Sequence, residues 1–222
     1  MNEGDYARGG KGRTDADDQT PKAWDHDPPA KRTWTPLGIW VLATGALTLI
    51  FTSSRETSDF WVEALPVGWL SVQTEVGRIK RLVIYLDNGP KNAGTRTPFL
   101  KRMIEFADWS GLEIRLVYYP PYHSKYNPIE RCWSALEQKW GGTLLNGLKV
   151  LLQPARRRSW RKPHPVVKRL EGDYAEGVRL SKKERKPFEA RRQRSAALPK
   201  YDITITPQQS SERQVAESLP LA

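Results

Sequence analysis

The chain has 222 residues, enough for one domain of ordinary size with tails. Its single cysteine, Cys132, excludes a disulfide framework and a cysteine-rich zinc site, and it fits a reducing compartment. The net charge of +11 is concentrated in residues 154–200, where 16 Lys and Arg residues stand against 5 acidic ones. Such a segment indicates a polyanionic partner, most often nucleic acid, or else a solvated tail.

The predicted elements begin after a loop-rich segment. Residues 1–33 are rich in Gly, Asp, Pro and charge and have no periodicity, so we expect a loop or disorder there. Residues 34–42 and 47–54 predict the two strands of a hairpin. The uncharged run 37–54 reaches the roughly 18 residues of a membrane span, but the turn-like residues 43–46 at its centre favour the hairpin.

A helix and a buried strand follow the hairpin. Ser58 and Asp59 resemble a helix cap, and residues 60–76 carry apolar side chains at helical spacing. Pro66 interrupts this pattern and predicts a kinked or split helix. Residues 82–86 form a short continuous apolar run, which is typical of a strand buried on both faces.

The next elements complete an alternating order. Thr97 and the proline after it begin a helix that Gly111 ends. Residues 112–119 alternate apolar and charged side chains and predict a strand near an edge. Asn127 and the proline after it begin a further helix, which runs to about Trp140. The resulting order, β-β-α-β-α-β-α, predicts an α/β fold with a layered sheet.

Beyond Trp140 the pattern weakens. Short helices are expected near residues 143–153 and 181–194, and the end of the chain reads as a tail. We divide the chain into a loop-rich segment, a folded core, a basic segment and a tail, with bounds 1–33, 34–153, 154–200 and 201–222.

Two acids occupy positions typical of a metal site. Asp87 ends the apolar strand, at the edge of an α/β sheet where ligands bind, although an Asx turn with Asn88 explains it equally well. Glu130 lies in the first turn of its helix, where a capping box with Asn127 is the simpler account. Together their hard oxygens suit Mg²⁺ or Mn²⁺ in phosphodiester chemistry, in which two ions activate the attacking oxygen and stabilise the leaving oxygen.

The Pro-rich turn before Glu130 carries aromatic and cationic side chains. Tyr122 and Tyr126 are interleaved with His123 and Lys125, and such residues can stack on bases and grip phosphates. Half of the turn's tyrosines are equally well explained as core. Cys132 is interpreted as a core residue rather than a nucleophile.

Three motifs resemble a known family. They are LVIYLDNGPKN (82–92), YYPPYHSKYNPIERCW (118–133) and TPLGIWVLATGALTLIFTSS (35–54). They resemble the DDE transposases of bacterial insertion sequences, most closely the Rhodopirellula-type transposase family. The resemblance covers roughly residues 4–186.

The resemblance implies a fold and an acidic triad. The fold is an RNase H-like mixed sheet with helices on both faces. Asp87 corresponds to the second acid of the triad and Glu130 to the third. The family's first acid lies on a first strand just upstream of the segment matched here by residues 4–13, so we expect a truncated chain that lacks this strand. No nearby acid lies in a strand-like run that could replace it (Asp5, Asp25 and Asp27).

The resemblance also implies an activity and its partners. The expected function is metal-dependent cleavage and transfer of DNA strands at transposon ends, with Mg²⁺ or Mn²⁺ held by Asp87 and Glu130. The alternative is a remnant that binds DNA without cutting it, or an unstable product of a broken gene. A possible homo-oligomer and a cytoplasmic, nucleoid-associated location without a membrane are expected. The expected DNA contacts are His123, Lys125, Asn127, Arg156, Arg157, Arg158, Arg161 and Lys162.

Overall fold

The computed structural model of the chain describes residues 1–4, 23, 32–156 and 164–208. Within these residues the chain forms a mixed α/β structure with six α-helices and nine strands. No helix among them is long and apolar enough to cross a membrane. The strands form a two-stranded ribbon and two mixed sheets.

The contacts between residues divide the chain into two compact units. Unit 1 comprises residues 1–54 and 128–171, and unit 2 comprises residues 55–127 and 172–222. Each unit therefore takes segments from both halves of the sequence. The predicted boundaries at residues 33, 153 and 200 divide the chain differently and stay a prediction.

Unit 1 contains the predicted hairpin. Strand β3 (Thr35–Trp40) pairs antiparallel with β4 (Leu47–Thr52), with Thr35 opposite Thr52 and Trp40 opposite Leu47. A strand that the sequence did not predict, β7 (Val166–Leu170), lies parallel to β4 on its other side. The hairpin prediction is thus confirmed, and β7 shows that part of the basic segment is folded into the sheet.

The other elements of unit 1 are a two-stranded ribbon and two helices, and the helices share an apolar core with this sheet. The ribbon consists of β1 (Asn2–Glu3) and β2 (Arg32–Thr33), and the helices are α4 (Ile129–Trp140) and α5 (Leu148–Arg156). Side chains from the sheet and from both helices form one apolar core, which includes Trp34, Phe51, Cys132, Leu136, Trp140 and Leu151. Cys132 is only 1% exposed, which agrees with a packing role.

Unit 2 is built on a four-stranded sheet. Its strands are β5 (Arg81–Leu86), β6 (Glu113–Tyr118), β8 (Arg192–Arg194) and β9 (Asp202–Ile205). Their order is β5-β6-β9-β8, with β5 and β6 parallel and the other pairs antiparallel. Its helices are α1 (Ser58–Leu70), α2 (Gln73–Val76), α3 (Thr97–Ser110) and α6 (Lys182–Glu189).

The helix signals of unit 2 are local and mostly confirmed. In α3 a proline occupies the first turn, and Gly111 ends the helix in a left-handed conformation with φ of 71°. The cap of α1 is Thr57 and not the predicted Ser58 or Asp59, which lie inside the helix; the Thr57 hydroxyl accepts from the backbone N–H of Phe60. The helix continues through Pro66 and ends at Leu70, so the prediction of a split at Pro66 is wrong. The break lies at residues 71 and 72, between α1 and α2.

The structure also decides several expectations about the strands. The strand at 82–86 is not buried on both faces, because Val83 and Tyr85, which share one face of β5, are 39% and 48% exposed. The strand at 112–119 lies next to the edge strand β5 and is itself interior, because β9 pairs with its other side. Residues 202–205, expected within a tail, form that strand. The mixed pairing of strands agrees with the expected mixed sheet, while β3 and β5 belong to different sheets among the described residues, so the RNase H-like arrangement stays a prediction.

Candidate functional site

Asp87 follows the last residue of β5, and the Pro-rich loop of residues 119–127 follows β6. Because β5 and β6 are parallel with Leu86 opposite Tyr118, both motifs leave the sheet at the same edge. The backbone N–H of Tyr119 donates to the carbonyl of Leu86 at 2.9 Å, which holds the two strand ends together. Asp87 and the Pro-rich loop therefore lie at the same edge of the unit 2 sheet.

The Asp87 side chain is fixed by two donors from the turn that follows it. Its Oδ1 accepts from the backbone N–H of Gly89 at 3.1 Å, which is the Asx turn that the sequence allowed. The same oxygen accepts from Nδ2 of Asn92 at 2.9 Å. Asn88, which lies between Asp87 and Gly89 in the chain, is in the left-handed region with φ of 62°. The carboxylate is exposed yet held in one orientation.

Asn92 is the functional candidate that sequence reasoning missed. It is 1% exposed, and its backbone carbonyl accepts from the Tyr118 hydroxyl at 3.0 Å. Burial raises the pKa of that hydroxyl well above its usual range, so Tyr118 remains a donor at neutral pH. Asn92 lies inside the motif LVIYLDNGPKN, but only the folded turn shows that its side chain reaches Asp87.

A second layer of contacts supports the turn from α1 and α3. The Ser58 hydroxyl donates to the carbonyl of Lys91 at 2.7 Å and accepts from Nε of Arg96 at 2.9 Å. Lys91 also forms an ion pair with Glu176 at 3.3 Å. The segment after Asp87 is therefore anchored on both sides, which is what a site with fixed geometry requires.

The loop of residues 119–127 presents aromatic and cationic side chains to solvent. Tyr122 is 96% exposed and has φ of 65°, an uncommon conformation for an aromatic residue. His123 stacks on Tyr126 with ring centroids 5.7 Å apart, and its Nδ1 is 2.8 Å from the carbonyl of Pro121. The Lys125 ammonium lies 5.3 Å from the Tyr126 ring centroid. These contacts hold the loop as a short aromatic platform with cations at its rim.

Glu130 is the second residue of α4 and belongs to unit 1, whereas Asp87 belongs to unit 2. The helix begins after Pro128, so Glu130 does not occupy the third helical position that a capping box with Asn127 requires. The Glu130 side chain is exposed in the first turn, where the helix dipole favours a negative charge.

The remaining predicted residues are only partly described. Asn127 is half-buried two residues before the start of α4, and Arg156 is exposed in the last turn of α5. Seven residues named in the sequence analysis lie outside the described residues: Asp5, Asp25, Asp27, Arg157, Arg158, Arg161 and Lys162.

The donor chemistry at Asp87 fits a hard divalent cation. The Asp87 carboxylate and the side-chain amide oxygen of Asn92 belong to the class of ligands that Mg²⁺ and Mn²⁺ prefer. Across residues 1–4, 23, 32–156 and 164–208, no three His, Cys, Asp or Glu side chains form a group that could hold a metal ion. Asp87 is therefore the charged side chain of this turn that could serve as a ligand of such a cation.

Comparison with known proteins identifies the family. Residues 2–207 match the family described as the Rhodopirellula transposase DDE domain, which covers most of the chain. No curated protein matches the chain, and no solved structure does. The two acid-bearing motifs and the extent of this match agree, and the chain belongs to the Rhodopirellula transposase DDE domain family.

Proposed function

We propose that this transposase-family chain cleaves DNA strands at transposon ends and transfers them, in a metal-dependent reaction. The observation that carries the proposal is Asp87, an exposed carboxylate held in one orientation at the end of a sheet strand. An isolated exposed acid needs no such fixation, whereas a metal ligand benefits from it because fixed geometry lowers the cost of binding.

Asp87 and Glu130 would hold the metal, by their match to the second and third acids of the family motif. Bound Mg²⁺ or Mn²⁺ supplies an activated attacking oxygen and stabilisation of the leaving oxygen at phosphorus. The chain's own contribution is to orient the Asp87 oxygens through the turn and to place a negative charge at the start of α4.

The DNA would be held by the aromatic platform and by basic side chains. Exposed Tyr122 offers a face on which a base can stack, and the neighbouring His123 and Lys125 can contact phosphates. Asn127, Arg156, Arg157, Arg158, Arg161 and Lys162 are the further proposed contacts. A homo-oligomer and a nucleoid location also stay predictions.

The strand arrangement supports an RNase H-like fold as the finer assignment. In that fold the first strand lies between the second and the fourth, to which β3 and β5 correspond here. Among the described residues, β3 and β5 are each the edge strand of their sheet. Each has a side on which a further strand would pair, as the family fold requires.

Nicking of supercoiled plasmid DNA tests the proposal. The 222-residue chain should nick the plasmid with Mg²⁺ or Mn²⁺ and not with EDTA. Asp87→Ala and Glu130→Ala should each lower the rate by more than about 100-fold, above the effect of losing an outer-shell partner. Glu75→Ala, which removes an exposed acid from α2, is the matched control and should leave the rate unchanged.

The alternative is binding of DNA without cleavage, which the net charge of +11 favours. It predicts retention of DNA at low salt by all four proteins and the same background nicking with and without metal. That result would reject catalysis by this chain and keep the binding function.

A further inference from the structure

The Asn92 side chain carries a buried oxygen that has no donor among the described residues. Its Nδ2 donates to Asp87, but Oδ1 has no hydrogen-bond partner there, although the residue is 1% exposed. A buried polar atom left without a partner costs about 1–3 kcal/mol, and such atoms in folded proteins call for an explanation such as an ion or a functional role.

The orientation of the amide is fixed by its neighbour. If oxygen and nitrogen were exchanged, an amide oxygen would face the Asp87 carboxylate, and two acceptors would lie against each other. The Asp87 contact therefore sets Nδ2 toward the carboxylate and leaves Oδ1 toward the space above Gly89.

Three oxygens surround that space. A Cβ atom built on Gly89 would lie 3.3 Å from Oδ1 and 3.4 Å from Oδ2 of Asp87, and 3.6 Å from Oδ1 of Asn92. Gly89 is not in the left-handed region, so its backbone conformation does not demand glycine. The missing side chain instead leaves room beside three oxygen atoms, one of them buried.

We propose that Asn92 is a cation-binding residue that acts with Asp87. Its amide N–H holds the carboxylate, and its Oδ1 supplies a neutral oxygen to a divalent cation in the space above Gly89. This inference rests on the proposed function of Asp87 and adds a ligand that the acidic motif does not contain. Amide oxygens are ordinary ligands of hard cations, and a bound cation gives the buried oxygen the partner it lacks.

Binding of Mn²⁺ to the full 222-residue chain, measured by isothermal titration calorimetry, tests the inference without relying on DNA cleavage. Asn92→Ala should weaken Mn²⁺ binding by about 10–100-fold, the usual effect of losing a residue that orients or supports a metal ligand. Gly89→Ala should weaken it similarly, because the methyl group occupies the space between the oxygens. Asp87→Ala should abolish it.

Two further variants separate cation binding from folding. Gly147→Ala is the matched control, since a Cβ there meets nothing within 4 Å, and it should bind Mn²⁺ like the unaltered chain. Asn92→Asp keeps an oxygen at the Oδ1 position and should bind Mn²⁺ more tightly than Asn92→Ala. If Asn92 only braces the turn, both Asn92 variants should lower the melting temperature, and the rise in melting temperature on adding Mn²⁺ should stay as in the unaltered chain.

The outcomes distinguish the inference from the proposed function. If Asp87→Ala abolishes Mn²⁺ binding while Asn92→Ala and Gly89→Ala bind normally, the role of Asn92 is overturned and that of Asp87 stands. If the unaltered chain binds no Mn²⁺, the cation site above Gly89 is overturned, and plasmid nicking then decides the proposed function separately.

Discussion

The Asp202 carboxylate illustrates how single residues join the sheet of unit 2. It accepts from Nε and Nη2 of Arg115 at 3.0 and 2.7 Å, which ties β9 to β6 across two hydrogen bonds. The hydrogen bond from Arg115 lowers the pKa of Asp202 below its usual value. A carboxyl whose pKa is lower in the folded state adds stability above its unfolded pKa of about 3.9, and this stability is lost as the pH falls through the folded pKa.

Asp202→Asn should therefore change the pH dependence of stability. The unaltered chain should exceed the variant in free energy of unfolding at neutral pH, because the variant lacks the charge that pairs with Arg115. The difference should shrink as the pH falls from the unfolded pKa of about 3.9 through the lowered pKa of Asp202 in the folded chain. Urea unfolding followed by tryptophan fluorescence between pH 3 and pH 7 measures it. Glu75→Gln, an exposed acid in α2, is the control, and a difference that is constant with pH would contradict the argument.

At the scale of elements, the sequence predicts the elements whose signals are local and misses those that depend on distant partners. The hairpin of β3 and β4 and the helix α3 have their turns, proline and terminal glycine within a few residues, and both were predicted. The strands β7 and β9 have five and four residues, and each exists through pairing with a distant strand. No local pattern marks such strands, because their stabilisation comes from the partner.

In the candidate site, too, the sequence predicts the residue with a local signal and not the one whose role depends on the fold. Asp87 was predicted because an acid that ends an apolar run is visible in the sequence. The contribution of Asn92 was not, because it depends on how the turn folds back and on the burial that α1, α3 and Tyr118 impose. The exposure of one face of β5 is also not predicted, since an apolar run does not reveal whether both faces of a strand are covered by other elements.

The strand β9 offers a test of how much a late element contributes to the core. Ile203 is fully buried, and its Cδ1 would lie 2.8 Å from a Cβ at Gly94, so it packs against this backbone without spare room. Ile203→Ala should lower the free energy of unfolding by about 2–5 kcal/mol, as for other buried Ile or Leu truncations. Thr204→Ala, on the opposite face of β9, is the control and should cost less. Urea unfolding measures both, and equal effects would show that β9 does not anchor the core of unit 2.

For the whole molecule, the most consequential property is where the charge lies. Residues 154–200 carry the entire net charge of +11, yet β7, α6 and β8 show that much of this segment is folded. A solvated tail is therefore not a sufficient description of it. Cations on ordered elements keep fixed positions, so they can follow the phosphates of a duplex with less loss of conformational entropy than cations on a free tail.

Replacing three neighbouring arginines tests this distribution. In Arg156→Ala/Arg157→Ala/Arg158→Ala, the slope of log affinity against log salt for a random duplex should fall in magnitude by about 3, one unit for each lost phosphate contact. Fluorescence anisotropy between 50 and 300 mM KCl measures the slope. A second triple variant, Arg78→Ala/Lys80→Ala/Lys139→Ala, removes the same charge from exposed positions outside the basic segment. If both variants change the slope equally, the total charge governs binding and the basic segment is not the contact surface; a larger change in the first assigns the contacts to that segment.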